Sequence, residues 1–115
     1  EPYPPRASLT TGFVGTPYLC PALSSHGGLM DAYSLLLKTD YPSWLYEVKM
    51  GATTVWERWN SINPDGHISS TGMNSLNHYA YGSIVEWMYR YMCGLNQTAP
   101  GFKKVRFQPM SAQSG

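Results

Sequence analysis

The sequence predicts an almost entirely helical fold that is incomplete on its own. Four stretches of the 115-residue chain place apolar residues at helical spacing between start and stop signals. Only 13% of the residues are charged, whereas 43% are apolar and 14% are aromatic. A soluble domain usually carries about 25% charged residues. Because so little charge cannot cover the outer faces of four helices, we expect further polypeptide to pack against them.

The first three helices follow one another closely. Thr16-Pro17 is a typical helix start, a hydroxyl cap followed by a proline, and predicts a helix from Pro17 to about Ser25. A second helix is expected from about Gly28 to Lys38, and a third, capped by Asp40, to about Met50. Because the connections between them are short, the three helices should be antiparallel neighbours.

A long irregular segment, residues 51–74, is expected between the third helix and the last one. The Asn-Pro-Asp-Gly sequence at positions 63–66 is a strong turn signal within it. Ordered loops of this length in compact domains tend to be functional. The last helix is expected from about Ser75 to Leu95 with a wide apolar arc. Val105–Phe107 alternates with basic residues, which predicts a short strand.

Composition and spacing argue against several classes of protein. The net charge of +1 comes without a broad basic face, and no segment reaches the ~18 apolar residues of a membrane span, so neither nucleic acid nor membrane is an expected partner. The three histidines match no zinc-ligand spacing, so we expect neither metal nor cofactor. Cys20 and Cys93 lie among apolar neighbours and are expected to be buried free thiols. The first residues have no signal-peptide pattern, which leaves cytoplasmic and secreted locations both open.

The residues that could carry chemistry cluster in the long loop and just after it. The run GATTVWERWN at positions 51–60 places Glu57 between two tryptophans, and the run GMNSLNHYAYG at positions 72–82 contains His78. Aromatic faces and directional hydrogen-bonding groups around a carboxylate are typical of a sugar pocket. The alternative for His78 is a structural residue in the first turn of the last helix.

The other carboxylates have ordinary structural explanations. Cap, turn, terminal or helix-surface positions account for most of them, including Glu47, and Glu86 is expected to pair with Arg90 one turn away. The alternative for Glu57 is a structural salt bridge with Arg58 or another partner. Glycoside hydrolysis usually uses two carboxyl groups, and Glu57 has no convincing second in this sequence.

Several runs of sequence resemble the bacterial α-L-rhamnosidases of glycoside hydrolase family 78. They are TTGFVGTPYL at 10–19, YPSW at 41–44, GATTVWERW at 51–59 and GMNSLNHYAYGSIVEWMYRY at 72–91. APGFKKVRFQP at 99–109 fits the segment that leaves the family's catalytic domain. The resemblance covers about residues 9–109, and its motifs are long and in the expected order.

The resemblance implies an all-α fold, the last hairpins of an (α/α)6 six-hairpin barrel. Residues 10–98 are then the C-terminal part of the catalytic domain, residues 1–9 an irregular N-terminal segment and residues 99–115 an exit segment and tail. It implies an inverting glycosidase that releases terminal α-L-rhamnose, with Glu57 at the position of the general base and His78 at that of a histidine contacting rhamnose. Further residues would shape or support the pocket: Trp56, Trp59, Asn74 and Asn77.

The family's general acid lies on an earlier segment that has no counterpart in this sequence. We therefore expect the isolated chain to be inactive and its partners to be a rhamnose-containing glycoside and the remainder of the catalytic domain. Two alternatives to a catalytic part remain open, a non-catalytic carbohydrate-binding fragment and a helical interaction fragment.

Overall fold

The computed structural model describes residues 8–70 and 72–111 and is mostly helical, with a two-stranded antiparallel sheet near the C-terminus. Predictions for residues 1–7 and 112–115 lie outside the described residues. In the described part, three α-helices precede a long irregular segment. A 3-10 turn, a short α-helix and a π-helical turn follow this segment and form one continuous helical stretch. The elements are α1 (Thr16–Ser25), α2 (Leu29–Leu37), α3 (Trp44–Lys49), a 3-10 turn (Ala80–Ser83), α4 (Ile84–Trp87), a π-helical turn (Met88–Met92), β1 (Leu95–Ala99), a 3-10 turn (Pro100–Phe102) and β2 (Lys104–Phe107).

The first two helices lie where the sequence places them, and the third begins later. α1 packs against α2, and α2 contacts α3. The predicted cap of the third helix at Asp40 is wrong, because the Oγ of Ser43 accepts the backbone N–H of Tyr46 at 3.0 Å and the helix begins at Trp44. A residue that precedes a proline is disfavoured in helical conformation, and the Tyr41–Pro42 dipeptide therefore stays outside the helix.

The last helix begins five residues later than predicted, at Ala80 instead of Ser75, and ends at Met92. Two backbone groups at its expected start bond to the long loop instead. The carbonyl of Ser75 accepts the N–H of Glu57 at 2.9 Å, and the N–H of His78 donates to the carbonyl of Val55 at 2.8 Å. The loop therefore outcompetes the first turns of the predicted helix.

Strand β2 confirms the predicted strand, whereas its partner β1 was missed because the last helix was extended to Leu95. Gly94 separates the helix from β1 with a φ of +67°. A Cβ at this position would lie 1.9 Å from the carbonyl oxygen of Gln108, so only glycine fits.

Of the two cysteines that were predicted to be buried, Cys93 next to this turn is exposed, so the prediction is wrong for Cys93. Cys20 is buried as predicted, and burial raises the pKa of its thiol to about 11.

One core joins the three N-terminal helices, the loop and the last helix. Two of its tryptophans bind across elements: the indole N–H of Trp44 donates to the carbonyl of Tyr81 at 2.8 Å, and that of Trp87 donates to the Oγ of Ser24 at 2.8 Å. These bonds fix the last helix against α1 and α3 and so position the loop between them. The core residues are Leu9, Cys20, Ala32, Tyr33, Leu35, Leu36, Trp44, Trp59, Tyr81, Ile84 and Trp87.

No helix in the described ranges is long and apolar enough to cross a membrane.

Candidate active site

Two short segments far apart in the sequence, residues 54–57 and 75–78, are joined by hydrogen bonds. The carbonyl of Val55 accepts the N–H of His78 at 2.8 Å, and the N–H of Glu57 donates to the carbonyl of Ser75 at 2.9 Å. The N–H of Ser75 in turn donates to Oε2 of Glu57 at 2.6 Å. The structure therefore brings the segments of Glu57 and His78 together, and we refer to them as the paired segments.

Glu57 is half-buried, and its side chain is fixed at one oxygen. The 2.6 Å bond from the N–H of Ser75 engages Oε2 and leaves Oε1 for another partner. The bond therefore fixes the orientation of the Glu57 carboxyl group and leaves one of its oxygens available.

Arg58 does not form the salt bridge with Glu57 that was considered as the alternative. Its Nε donates to the carbonyl of Met73 at 3.1 Å and its Nη2 to the carbonyl of Gly72 at 3.2 Å. Met73 has a φ of +59°, which is uncommon for a residue with a side chain. Arg58 therefore stabilises a strained turn that leads directly into the second of the paired segments.

The predicted ion pair between Glu86 and Arg90 is present, with Nη1 of Arg90 3.2 Å from Oε1 of Glu86.

His78 lies two residues before the last helix, so its assignment to the first helical turn is wrong. Its Nδ1 accepts the backbone N–H of Ala80 at 3.2 Å. In a neutral imidazole the proton then lies on Nε2, which makes Nε2 a donor. The ring stacks on Phe13, with centroids 4.8 Å apart and planes 15° apart, and on Tyr79 at 5.4 Å and 7°. The backbone therefore engages one ring nitrogen of His78, and the ring contacts two aromatic side chains.

The two tryptophans that flank Glu57 lie in the interior. Trp56 is 2% exposed and packs edge-on against Tyr46, with ring centroids 6.3 Å apart. Trp59 is 8% exposed and stacks on Tyr81 at 3.9 Å. Because both rings are buried, they are better placed to pack behind the loop that carries Glu57 than to stack on a sugar. Direct contact of either ring with substrate stays a prediction.

Asn74 and Asn77 lie in the segment that precedes the last helix. The Nδ2 of Asn74 donates to the carbonyl of Ser61 at 3.1 Å. The backbone N–H of Asn77 donates to the Oγ of Ser75, also at 3.1 Å. These bonds order the segment on both sides of Ser75, the residue that holds Glu57.

Glu47 was wrongly assigned to the helix surface. It is 4% exposed, and its Oε2 accepts the backbone N–H of Trp56 at 3.3 Å. Burial raises the pKa of its carboxyl to about 7, and the hydrogen bond from Trp56 partly opposes this rise. The sequence did contain a signal, because Glu47 follows Trp44 by three residues and so shares the buried face of α3.

Within residues 8–70 and 72–111, no group of three or more His, Cys, Asp or Glu side chains could hold a metal ion.

A match to a protein-family model identifies the class of domain to which this chain belongs. Residues 5–92 match the model of the bacterial α-L-rhamnosidase six-hairpin glycosidase domain. The class is thus a helical glycosidase domain, in agreement with the mostly helical fold. The chain belongs to the bacterial α-L-rhamnosidase family, and the resemblance read from its motifs is confirmed.

The relatives that match this chain are much longer proteins. An α-L-rhamnosidase of Streptomyces avermitilis is 48% identical over 101 residues, which are 88% of this chain and 10% of the relative. One of Alteromonas sp. is 50% identical over 101 residues, 88% of this chain and 11% of the relative. This chain therefore spans about a tenth of the length of the curated relatives it matches.

Two solved structures share the fold. The crystal structure of Streptomyces avermitilis α-L-rhamnosidase in complex with L-rhamnose has a TM-score of 0.87 and 47% identity, covering 90% of this chain and 10% of the other. The native Aspergillus terreus α-L-rhamnosidase has a TM-score of 0.88 and 41% identity, covering 90% of this chain and 12% of the other.

Proposed function

We propose that this chain forms part of an inverting α-L-rhamnosidase and supplies its general base, Glu57. The observation that carries the proposal is the pair of segments that fixes Glu57 and His78 together, with Oε2 of Glu57 2.6 Å from the N–H of Ser75. Membership of the α-L-rhamnosidase family supports the substrate class. We call the longer polypeptide that we propose contains this chain the parent enzyme.

In the proposed reaction Glu57 accepts a proton from a water molecule as that water attacks the anomeric carbon of a terminal α-L-rhamnose. A general acid on the opposite face of the sugar protonates the leaving oxygen, and we place that acid outside this chain. Inverting glycosidases hold the two carboxyl groups roughly 6.5–9.5 Å apart, which leaves room for the water. Oε1 of Glu57, which the bond to Ser75 does not engage, is the oxygen we assign to the proton.

Exposed apolar side chains support the proposal that other parts of the parent enzyme cover this chain. Val14 is 84% exposed, Tyr18 70% and Tyr79 89%. Tyr79 also stacks on His78, so covering polypeptide at this point would close the site from water. We propose that residues 10–98 belong to the catalytic domain and that residues 99–115 lead out of it.

The test is hydrolysis of an aryl α-L-rhamnoside by the parent enzyme and by this chain alone. We expect turnover by the parent enzyme only, and we expect NMR to detect β-L-rhamnose as the first product. First formation of the α anomer would contradict inversion, and absence of turnover by the parent enzyme would contradict the rhamnosidase proposal. Binding of L-rhamnose by the chain without turnover by the parent enzyme would favour the non-catalytic carbohydrate-binding alternative.

Replacement of His78 by alanine in the parent enzyme should lower kcat/KM about 10- to 100-fold. The Nε2–H of His78 is proposed to donate to a rhamnose hydroxyl, and loss of one buried hydrogen-bond partner costs about 1–3 kcal/mol. Calorimetry with L-rhamnose should detect weaker binding in the same variant. His67→Ala is the control, because the His67 side chain is 83% exposed in a turn. Equal effects of the two substitutions would exclude a specific role for His78.

A further inference from the structure

Glu47 is a buried carboxyl group that the proposed reaction does not use. It lies on α3 and is 4% exposed. Its Oε2 accepts the N–H of Trp56 at 3.3 Å, while its Oε1 is buried without a hydrogen-bond partner among the described residues. A buried polar atom without a partner is unfavourable and is uncommon in folded proteins. Fold stability alone therefore does not account for a carboxyl group at this position.

The surroundings of Glu47 favour a neutral carboxyl group. The charge of Glu47 also acts on the phenol of Tyr81, a titratable side chain of another described element. Burial raises the pKa of Tyr81, and the charge of Glu47 raises it further, while Arg58 lowers it. Ionisation would place a charge in the protein interior, and the hydrogen bond that Oε2 accepts from Trp56 offsets that cost only in part.

We propose that Glu47 is a positioning residue, whose buried carboxyl group holds the peptide N–H of Trp56 and thereby fixes the backbone that presents Glu57. This inference rests on the proposed function of Glu57. It names a residue that acts through another residue and does not itself touch the substrate.

The hydrogen bonds around Glu57 show how this positioning works. From one side, Glu47 holds the N–H of Trp56, the residue that directly precedes Glu57. From the other side, Ser75 binds both the N–H and Oε2 of Glu57. The base is therefore clamped between α3 and the second of the paired segments. Loss of either clamp lets its carboxylate move relative to the attacking water.

The experiment compares three substitutions of Glu47 in the parent enzyme. Glu47→Leu removes the acceptor at similar volume, Glu47→Asp withdraws the carboxyl by one methylene, and Glu47→Gln keeps a neutral carbonyl oxygen at the same reach. Since a misplacement of about 1 Å can cost about 100-fold in rate, we expect Leu and Asp to lower kcat about 10- to 100-fold with little change in KM. Gln should retain kcat within about threefold. Glu86→Gln, at a carboxylate that is 66% exposed, is the control.

A second measurement does not depend on activity. Hydrogen exchange of a peptide that contains Trp56, measured at about pH 4.5 where the folded protein keeps Glu47 protonated, should be faster in Glu47→Leu and Glu47→Asp than in the wild type, and unchanged in Glu47→Gln. If Glu47→Leu fails to fold, Glu47→Asp supplies the same comparison.

Full kcat in Glu47→Leu or Glu47→Asp would overturn the inference, as would equal loss in Asp and Gln. A parent enzyme that cleaves no rhamnoside would refute the proposed function instead. In that case, faster exchange at Trp56 in Asp but not in Gln would still establish the clamp, and unchanged exchange would refute it.

Discussion

Glu57→Gln in the parent enzyme should lower kcat for an aryl α-L-rhamnoside by about 1,000-fold and change KM only a few-fold. General acid–base catalysis by one side chain contributes about 10²–10⁴-fold. The amide of glutamine can still accept the N–H of Ser75 through its carbonyl oxygen, so the local fold is preserved. Only the ability to accept a proton from water is lost. A fall in kcat without a rise in KM is the signature of an interaction made in the transition state.

Glu57→Ala allows a sharper test of the base assignment. Azide is a small anionic nucleophile that needs no deprotonation, so it can occupy the place of the attacking water in the space left by the side chain. We expect added azide to restore turnover in Glu57→Ala and to yield β-L-rhamnosyl azide. NMR of the product gives both its identity and its anomeric configuration.

The control for both variants is Glu86→Gln, which removes an exposed carboxylate paired with Arg90 and should leave kcat unchanged. Retention of more than about a tenth of kcat in Glu57→Gln would contradict the general-base role. Restoration by azide with formation of the α product would contradict inversion while leaving Glu57 in the site.

Local sequence signals were sufficient for the elements that are stabilised locally. The apolar spacing located α1 and α2, and the turn residues at 63–66 located the irregular segment. The start of the last helix could not be predicted in this way. It depends on backbone bonds from Ser75 and His78 to the loop, and no pattern within a single segment encodes such long-range pairing.

In the candidate site, too, some residues could be predicted from the sequence and others could not. Glu57 and His78 could be predicted as site residues from their aromatic and polar surroundings and from motifs that resemble those of a known family, and their roles stay predictions. Glu47 and Phe13 were not identified, because their roles arise only from packing: one binds the N–H of Trp56 and the other stacks on His78. The helical spacing from Trp44 indicated that Glu47 is buried. Glutamate is so often exposed on helix surfaces that the prediction followed this general preference and placed Glu47 on the surface.

Glu47→Gln should stabilise the parent enzyme around α3 at pH 8 and make almost no difference at about pH 4.5. In the unfolded chain the carboxyl ionises at its ordinary pKa of 4.5, whereas burial raises the pKa to about 7 in the folded protein. Between these values the folded state retains a proton that the unfolded state has released. The stability of the wild type therefore falls as the pH rises from 4.5 to about 7, and then levels off.

The full difference amounts to at most about 3–4 kcal/mol, because the rise from 4.5 to about 7 spans about 2.5 pH units at about 1.4 kcal/mol each. Glutamine is neutral throughout, so the variant lacks this loss. A large enzyme seldom unfolds in one step, and the quantity to compare is the opening free energy of a peptide spanning α3 and Trp56, measured by hydrogen exchange at each pH. Glu86→Gln again serves as the control. A glutamine variant that is less stable than the wild type at pH 8 would mean that Oε1 of Glu47 finds a cationic partner in the parent enzyme, and the carboxyl would then hold Trp56 in its ionised form.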